Sequence, residues 1–311
     1  MSTKIEWTDE TWNPVRGCSI VSKGCTHCYA MRQAHRFSGP GQPYEGLTTM
    51  SKGGPVWTGK VRLVPELLDA PLRWTKPRRV FVNSMSDLFH EDVPHEFIAR
   101  LFATMMEARQ HTFQILTKRP ERMLATMKQF VDENDEFGGE LPDDVPPRNV
   151  WLGVSVEDQA SADERIALLL QTPAAVRWIS AEPLLGPIPN MDVHLVVRRY
   201  RDGRYYASED GPDGGMLTRL HWIVAGGESG PRARPSHPDW FRSLRDQCAA
   251  AGVPFFFKQW GEWAPNCLCD SRTAHRDIKR PEPGKLGCMF HCGKRAAGRL
   301  LDGRTHDEYP A

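Results

Sequence analysis

Three cysteines, Cys18, Cys25 and Cys28, lie close together in the stretch GCSIVSKGCTHCYA. Their spacing, C-x6-C-x2-C, is odd for disulfides and one ligand short of a closed tetrahedral metal site. Two metal chemistries fit such a set. A structural zinc site would take its fourth ligand from His27 or His35. A cubane [4Fe–4S] cluster would bind three irons through the thiolates and leave the fourth open to a substrate or cofactor. Gly17 and Gly24 beside the thiols let the backbone wrap closely, and the cluster is the favoured reading. A second group, Cys267, Cys269, Cys288 and Cys292, has the spacing C-x-C-x18-C-x3-C in a hydrophilic stretch, with His275 and His291 as spare ligands. It predicts a metal-stapled subdomain holding zinc or an auxiliary iron–sulfur cluster. Cys248 stands alone in a helical pattern and reads as a small buried hydrophobe.

A further set of chemistry-bearing residues follows short apolar runs. RRVFVNSMSDLF ends in Ser84, Ser86 and Asp87, and HTFQILTKRP in Thr117, Lys118 and Arg119. NVWLGVSVED ends in Ser155, Glu157 and Asp158, and VRWISAEPLLGP carries Ser180 and Glu182. HWIVAGGESG ends in Gly227 and Glu228, and PFFFKQWG in Lys258, Gln259 and Trp260. Carboxylates recurring at equivalent strand ends suit a polar ligand. Lys118, Arg119, Lys258, Arg232 and Arg234 suit an anion. Trp7, Trp12, Trp260 and Trp263 are candidates either for stacking a base or for the core.

Elements must hold these groups in place. Apolar runs bounded by polar residues predict strands buried on both faces of a parallel sheet. Residues 95–109 put Phe97, Ile98, Leu101, Phe102 and Met105 on one helical stripe. Residues 120–131 open with Pro at a helix start. Residues 161–172 offer Ser161 as N-cap with Glu164 in a capping box, and 237–252 end on Gly252 as a C′ residue. Strand–helix alternation predicts an α/β fold, a full or partial (β/α) TIM-like barrel with its polar strand ends at one mouth. The barrel is expected over 1–262, with an inserted hairpin at about 188–220 turning at Asp202-Gly203. A Cys-rich segment, 263–311, follows it.

The chain has 311 residues, 25% charged and 40% hydrophobic, with net charge +1. These values fit a globular protein and exclude a global field drawing it to nucleic acid or membrane. The local clusters Lys76/Arg78/Arg79, Lys118/Arg119/Arg122 and Arg232/Arg234 remain. MSTKIEWTDETW has no apolar signal region and no run approaches membrane-spanning length, so a cytoplasmic, reducing location is expected.

TWNPVRGCSIVSKGCTHCYA resembles the signature of the phage-type three-cysteine-motif proteins, a DUF5131-like family similar to radical S-adenosylmethionine (SAM) enzymes. FVNSMSDLFHEDVP, FQILTKRPERM, WLGVSVEDQ, SAEPLLGP, GGESG, HPDW and FFFKQWG resemble that family's other blocks, and so does GKRAAGRLLDGRTHDEYP. Most radical SAM enzymes have three residues in the first cysteine spacing where this chain has six. The resemblance implies a barrel of radical SAM type. Cys18, Cys25 and Cys28 would ligate a [4Fe–4S] cluster whose open iron is chelated by the amino and carboxylate groups of SAM. Reduction by a donor such as flavodoxin or ferredoxin would then cleave SAM to a 5′-deoxyadenosyl radical that takes hydrogen from a substrate. His27 falls where the superfamily has an aromatic side chain near the adenine. Ser84, Ser86 and Asp87 are expected at the SAM amino group. Lys118, Ser155, Glu157, Glu182, Gly227 and Glu228 complete the expected cofactor contacts.

A nucleotide or nucleic acid is the expected substrate, with DNA base repair or hypermodification as the outcome and peptide modification as another. One alternative is a non-catalytic, zinc-stabilised nucleic-acid-binding protein. Another is a metal-dependent hydrolase using the strand-end carboxylates with His90 and His95.

Overall fold

Each predicted apolar run is a strand in the computed structural model of the chain. The structure describes residue 3 and residues 5–136, 147–191, 197–199, 205–207, 216–265 and 289–310. Seven strands make the main sheet: β1 (Glu10–Trp12), β2 (Arg79–Val82), β3 (Thr112–Thr117), β4 (Val150–Ser155), β5 (Val176–Ala181), β6 (Trp222–Gly226) and β7 (Phe255–Gln259). They follow one another in chain order. The pairs β1–β2, β2–β3, β3–β4, β5–β6 and β6–β7 are parallel. Sequential parallel strands with helical crossovers make a mixed α/β fold compatible with a partial (β/α) barrel. The chain divides into two compact units, Met1–Val154 with Gln171–Arg177, and Ser155–Leu170 with Trp178–Ala311.

In the first unit the chain leaves β1 and makes α1 (Tyr29–His35) and an antiparallel hairpin, Thr48–Ser51 with Gly54–Trp57, before β2. The inner residues of α1, Ala30, Met31 and Ala34, pack with Leu47, Trp57 and Met85. α2 (His95–Glu107) buries the whole predicted stripe from Phe97 to Met105. α3 (Pro120–Glu136) buries Met123, Leu124 and Met127. Val80, Val82, Phe113, Ile115 and Leu152 are almost wholly buried within the sheet. Such side chains each contribute about 1.5–3 kcal/mol on burial, so this layer dominates the unit's stability.

The second unit carries α4 (Gln159–Gln171), α5 (Pro238–Ala251) and α6 (Lys294–Ala297). α4 begins three residues earlier than the capping box at Ser161 predicts. Asp158 is the cap, accepting the Ser161 amide at 3.0 Å, while Ser161 Oγ accepts the Asp158 amide at 3.1 Å. Ser161 thus holds the reciprocal end of the box. Gly252 is the left-handed residue ending α5, with φ 63°. Phe241 of α5 meets Phe257 and Trp260 edge-on, and Trp178 packs against Trp222. Three short strands, Val197–Arg199, Tyr205–Ala207 and Met216–Thr218, pair antiparallel between β5 and β6. Trp263–Pro265 pairs with Met289–His291. Among the described residues no helix is long and apolar enough to cross a membrane.

Candidate functional site

The cysteine loop in the first unit begins at a backbone constraint. Gly17 has φ +88°, and a Cβ there would lie 2.3 Å from the Lys60 carbonyl oxygen. Glycine is required for both reasons. A short 3-10 turn, Lys23–Cys25, follows, and Cys28 is the residue from which α1 starts. All three thiols are free and partly buried, and Cys18 and Cys28 pack against the α1 core. Burial, reinforced by Asp87, pushes the Cys18 thiol up to about 12, while Arg119 pulls it down. Burial also raises Cys28, against the pull of the α1 amides of Ala30 and Met31 and of Lys118. Cys25 acts on both neighbours, so the three sulfurs share one electrostatic environment.

The next turn is built to hold Cys18. Asn83, in the left-handed region at φ 58°, accepts the Val15 amide through Oδ1. Ser84 Oγ donates to Asn13 Oδ1 at 3.1 Å, and Ser86 Oγ to the Val15 carbonyl at 2.8 Å. Asp87 is buried and accepts from the Phe89 amide, Thr117 Oγ1, the Lys118 amide and Arg119 Nη1. Its carboxylate therefore locks the end of β2 to the end of β3. Arg119 spreads its fork over Asp87, Glu91 and Ser19 Oγ and puts Nη1 3.9 Å from Cys18 Sγ. His90 Nδ1 accepts the Asp92 amide, so Nε2 carries the proton and donates to Ser19 Oγ at 3.0 Å. Burial and Arg119 hold His90 below its ordinary pKa, leaving it neutral. His27 is partly buried between Cys25 and Cys28.

In the second unit each predicted carboxylate also has a cation. Glu157 pairs with Arg165 at 3.0 Å, both buried, and Arg165 also donates to the Ser155 carbonyl at 2.6 Å. Ser155 Oγ donates to the Glu182 carbonyl at 3.4 Å. Glu182 takes the Lys258 ammonium on both oxygens, at 2.8 and 2.9 Å, with Gln259 Nε2 at 3.2 Å. Glu228 takes the Arg234 amide, Nε and Nη2. Gly227 meets a steric demand. A Cβ there would stand 1.9 Å from the Trp260 carbonyl oxygen, and one on Gly261, at φ +82°, 2.1 Å from that of Glu228. The GGE tripeptide is thus the crossing point of two loops.

Other expectations change in the same way. Trp7, Trp12 and Trp260 are buried, which rules out stacking at a mouth. Trp263 spends its indole N–H on the Ala233 carbonyl at 2.6 Å. Arg78 and Arg79 pair with Glu10 and Asp9, so that basic run is largely neutralised. In the rear cysteine group, Cys267, Cys269 and Cys288 lie outside the described residues, as does His275. Cys292 is partly buried, with Sγ 3.4 Å from the Phe290 carbonyl oxygen.

The front thiols fit a thiolate-held group by donor chemistry. They are soft ligands that act on one another, with Arg119 and Lys118 supplying positive charge for the anion such a group would be. Among the described residues no three His, Cys, Asp or Glu side chains are already gathered as metal ligands are.

What the sequence reading missed is the surface around these thiols. Residues 14–64 carry seven lysines and arginines against one acid, Glu45. Charge counted by segment rather than over the whole chain would have found it.

No curated protein and no solved structure matches the chain. Residues 2–310 match the family described as protein of unknown function (DUF5131). Over nearly its whole length, then, the chain belongs to the DUF5131 family.

Proposed function

We propose that this protein is a cytoplasmic radical SAM-type enzyme in which Cys18, Cys25 and Cys28 hold a [4Fe–4S] cluster. One observation carries the reading: Cys18 and Cys28 pack against one core cluster, and the Arg119 guanidinium stands 3.9 Å from Cys18 Sγ. When bound, the cluster supplies one-electron cleavage of the SAM sulfonium C–S bond, with an electron from a flavodoxin- or ferredoxin-like donor, and hence hydrogen abstraction.

The protein's own residues do the rest. Arg119 neutralises charge at Cys18 and is itself aimed by Asp87 and Glu91. Ala30, Met31, Leu47, Trp57 and Met85 keep water from the inner side of the thiols. Ser84 and Ser86, whose hydroxyls donate to Asn13 and Val15, are assigned to a bound ammonium as acceptors. Lys118 suits the SAM carboxylate and His27 its adenine. In the second unit Glu182 retains the exposure, 19% of its side chain, to meet a polar ligand. Ser155, Glu157, Gly227 and Glu228 act there by fixing the strand-end loops. Cys267, Cys269, Cys288 and Cys292 are assigned to a second metal site, iron–sulfur or zinc.

Iron, sulfide and zinc analysis of protein purified without oxygen tests the reading. A brown protein that loses its iron in Cys18→Ala, Cys25→Ala and Cys28→Ala supports it. A colourless protein with zinc at the same cysteines would instead make it the zinc-stabilised binding protein. Activity that survives Cys25→Ala would point to a hydrolase.

A further inference from the structure

Among the described residues, five of the seven exposed large apolar side chains, Ile20, Val21, Tyr29, Phe37 and Met50, fall within residues 14–64. The same stretch is the one with seven basic residues and a single acid. A solvated face has no use for half-exposed aromatics, and a protein core has no use for a run of basic side chains. Together they are the signature of a surface that meets an anion bearing flat apolar groups.

α1 shows how the two are combined. Its inner positions, Ala30, Met31 and Ala34, are buried, and Tyr29, Gln33 and Arg36 are exposed with Arg32 partly so. Positions 29, 32, 33 and 36 lie on one helical face. The outer stripe therefore carries an aromatic ring followed by two guanidinium groups about one turn apart. The Tyr29 hydroxyl donates to the Ser84 carbonyl at 2.6 Å while the residue stays 49% exposed. Its ring is thus fixed before anything binds, so stacking on it sacrifices little side-chain freedom. Ile20, Val21 and Lys23 are also exposed, on the loop that leads to Cys25.

We propose that this face, the outer stripe of α1 with the loop Ile20–Lys23, binds single-stranded nucleic acid. A base stacks on Tyr29, and Arg32 and Arg36 hold phosphates. An acidic protein would match the charge but would not need a pinned exposed ring. The proposal extends the reading above by naming its substrate class, and Tyr29 directly follows Cys28, so the strand passes next to the thiols.

Full-length protein purified without oxygen is titrated with fluorescein-labelled oligothymidine by anisotropy over a salt series. The expected result is binding that weakens linearly in log salt. The Arg32→Ala/Arg36→Ala double variant should lower the slope by about 1.4, from two single-strand phosphate contacts. Tyr29→Leu should weaken binding about five- to hundredfold, while Tyr29→Phe, which keeps the ring but loses the hydroxyl anchor, should weaken it clearly less than Tyr29→Leu. Far-UV circular dichroism of each variant shows whether α1 has folded. No binding at low salt, or variants that bind as wild type, would overturn the proposal. So would binding of polyglutamate through Arg32 and Arg36 without binding of oligothymidine, which would make the partner an acidic protein. Iron content of the same sample reads the cluster separately: bound iron without oligonucleotide binding overturns this surface alone, and oligonucleotide binding without iron supports the surface and counts against the cluster.

Discussion

At the scale of single residues, most polar groups at the strand ends face one another and only a few face outward. Arg119 is the clearest case of a side chain acting through another. Its guanidinium, fixed by Asp87 and Glu91, stands beside Cys18 Sγ. Positive charge at a ligand sulfur favours the reduced, more anionic state of an iron–sulfur centre. Arg119→Met is expected to make the centre's midpoint potential more negative in an electrochemical titration, with Arg119→Lys recovering part of the change. An unchanged potential in Arg119→Met would remove that role. The thiols themselves make metal uptake pH-dependent. Cys18, pushed up to about 12, and Cys28, also raised, are protonated at neutral pH and must release protons to bind metal. Iron–sulfur reconstitution of the metal-free protein, followed by visible absorbance, should therefore run faster as pH rises from about 7 to about 8.5. A rate that is flat or falls over that range would contradict this. Glu157 belongs to a buried pair, and removing one partner strands the other. Arg165→Met should cost about 3–5 kcal/mol in urea unfolding. A value near zero would mean that Glu157 is held for something other than Arg165.

At the scale of elements, glycines and turns fix where the side chains go. Gly227 and Gly261 exist because two loop backbones cross where no Cβ fits. Gly227→Ala should lower the melting temperature sharply or abolish soluble expression, since backbone carbonyls cannot yield as a flexible side chain can. A melting temperature within a degree or two of wild type would refute this. The elements were the legible part of the sequence. Apolar runs such as VFV, FQIL and WIVA can only be strands buried on both faces, and the 97–105 stripe can only be one face of a helix. Less legible was the use made of polar residues at the strand ends. Glu157, Glu228 and Asp87 read alike in sequence as ligand groups. Their partners, Arg165 on α4 and Arg234 and Arg119 on loops, become apparent only once those segments pack over the strand ends. The start of α4 lies three residues before the one a cap at Ser161 implies, because Ser161 is the third helical residue, completing a box with Asp158. Trp7 and Trp12 gave no signal separating core from stacking surface, since a tryptophan serves either.

At the scale of the whole molecule, a net charge of +1 conceals an uneven distribution. Arg79 of β2 and Arg119 at the β3 end are paired with acids, whereas the stretch around the cysteines has a single acid of its own. Charge also fastens the last described segment. Asp302 bridges Arg242 and Arg245 of α5, and those hydrogen bonds, Arg242 first, bring its carboxyl from 3.8 down to about 2. A depressed carboxylate contributes stability that is fully present above its unfolded pKa and is lost as pH falls through the folded one. Acid unfolding of the wild type should therefore steepen between pH 3.8 and about 2 relative to Asp302→Asn. Coincident curves would show that the bridge is too well solvated to matter. The central claim is tested most directly by adding SAM and dithionite to anaerobically reconstituted protein, assaying iron and searching for 5′-deoxyadenosine. The account predicts about four irons held by the front cysteines, or about eight if the rear group holds a second cluster, with deoxyadenosine formed by the wild type and absent from Cys25→Ala. Bound zinc with no iron after reconstitution, and SAM recovered intact, would contradict it.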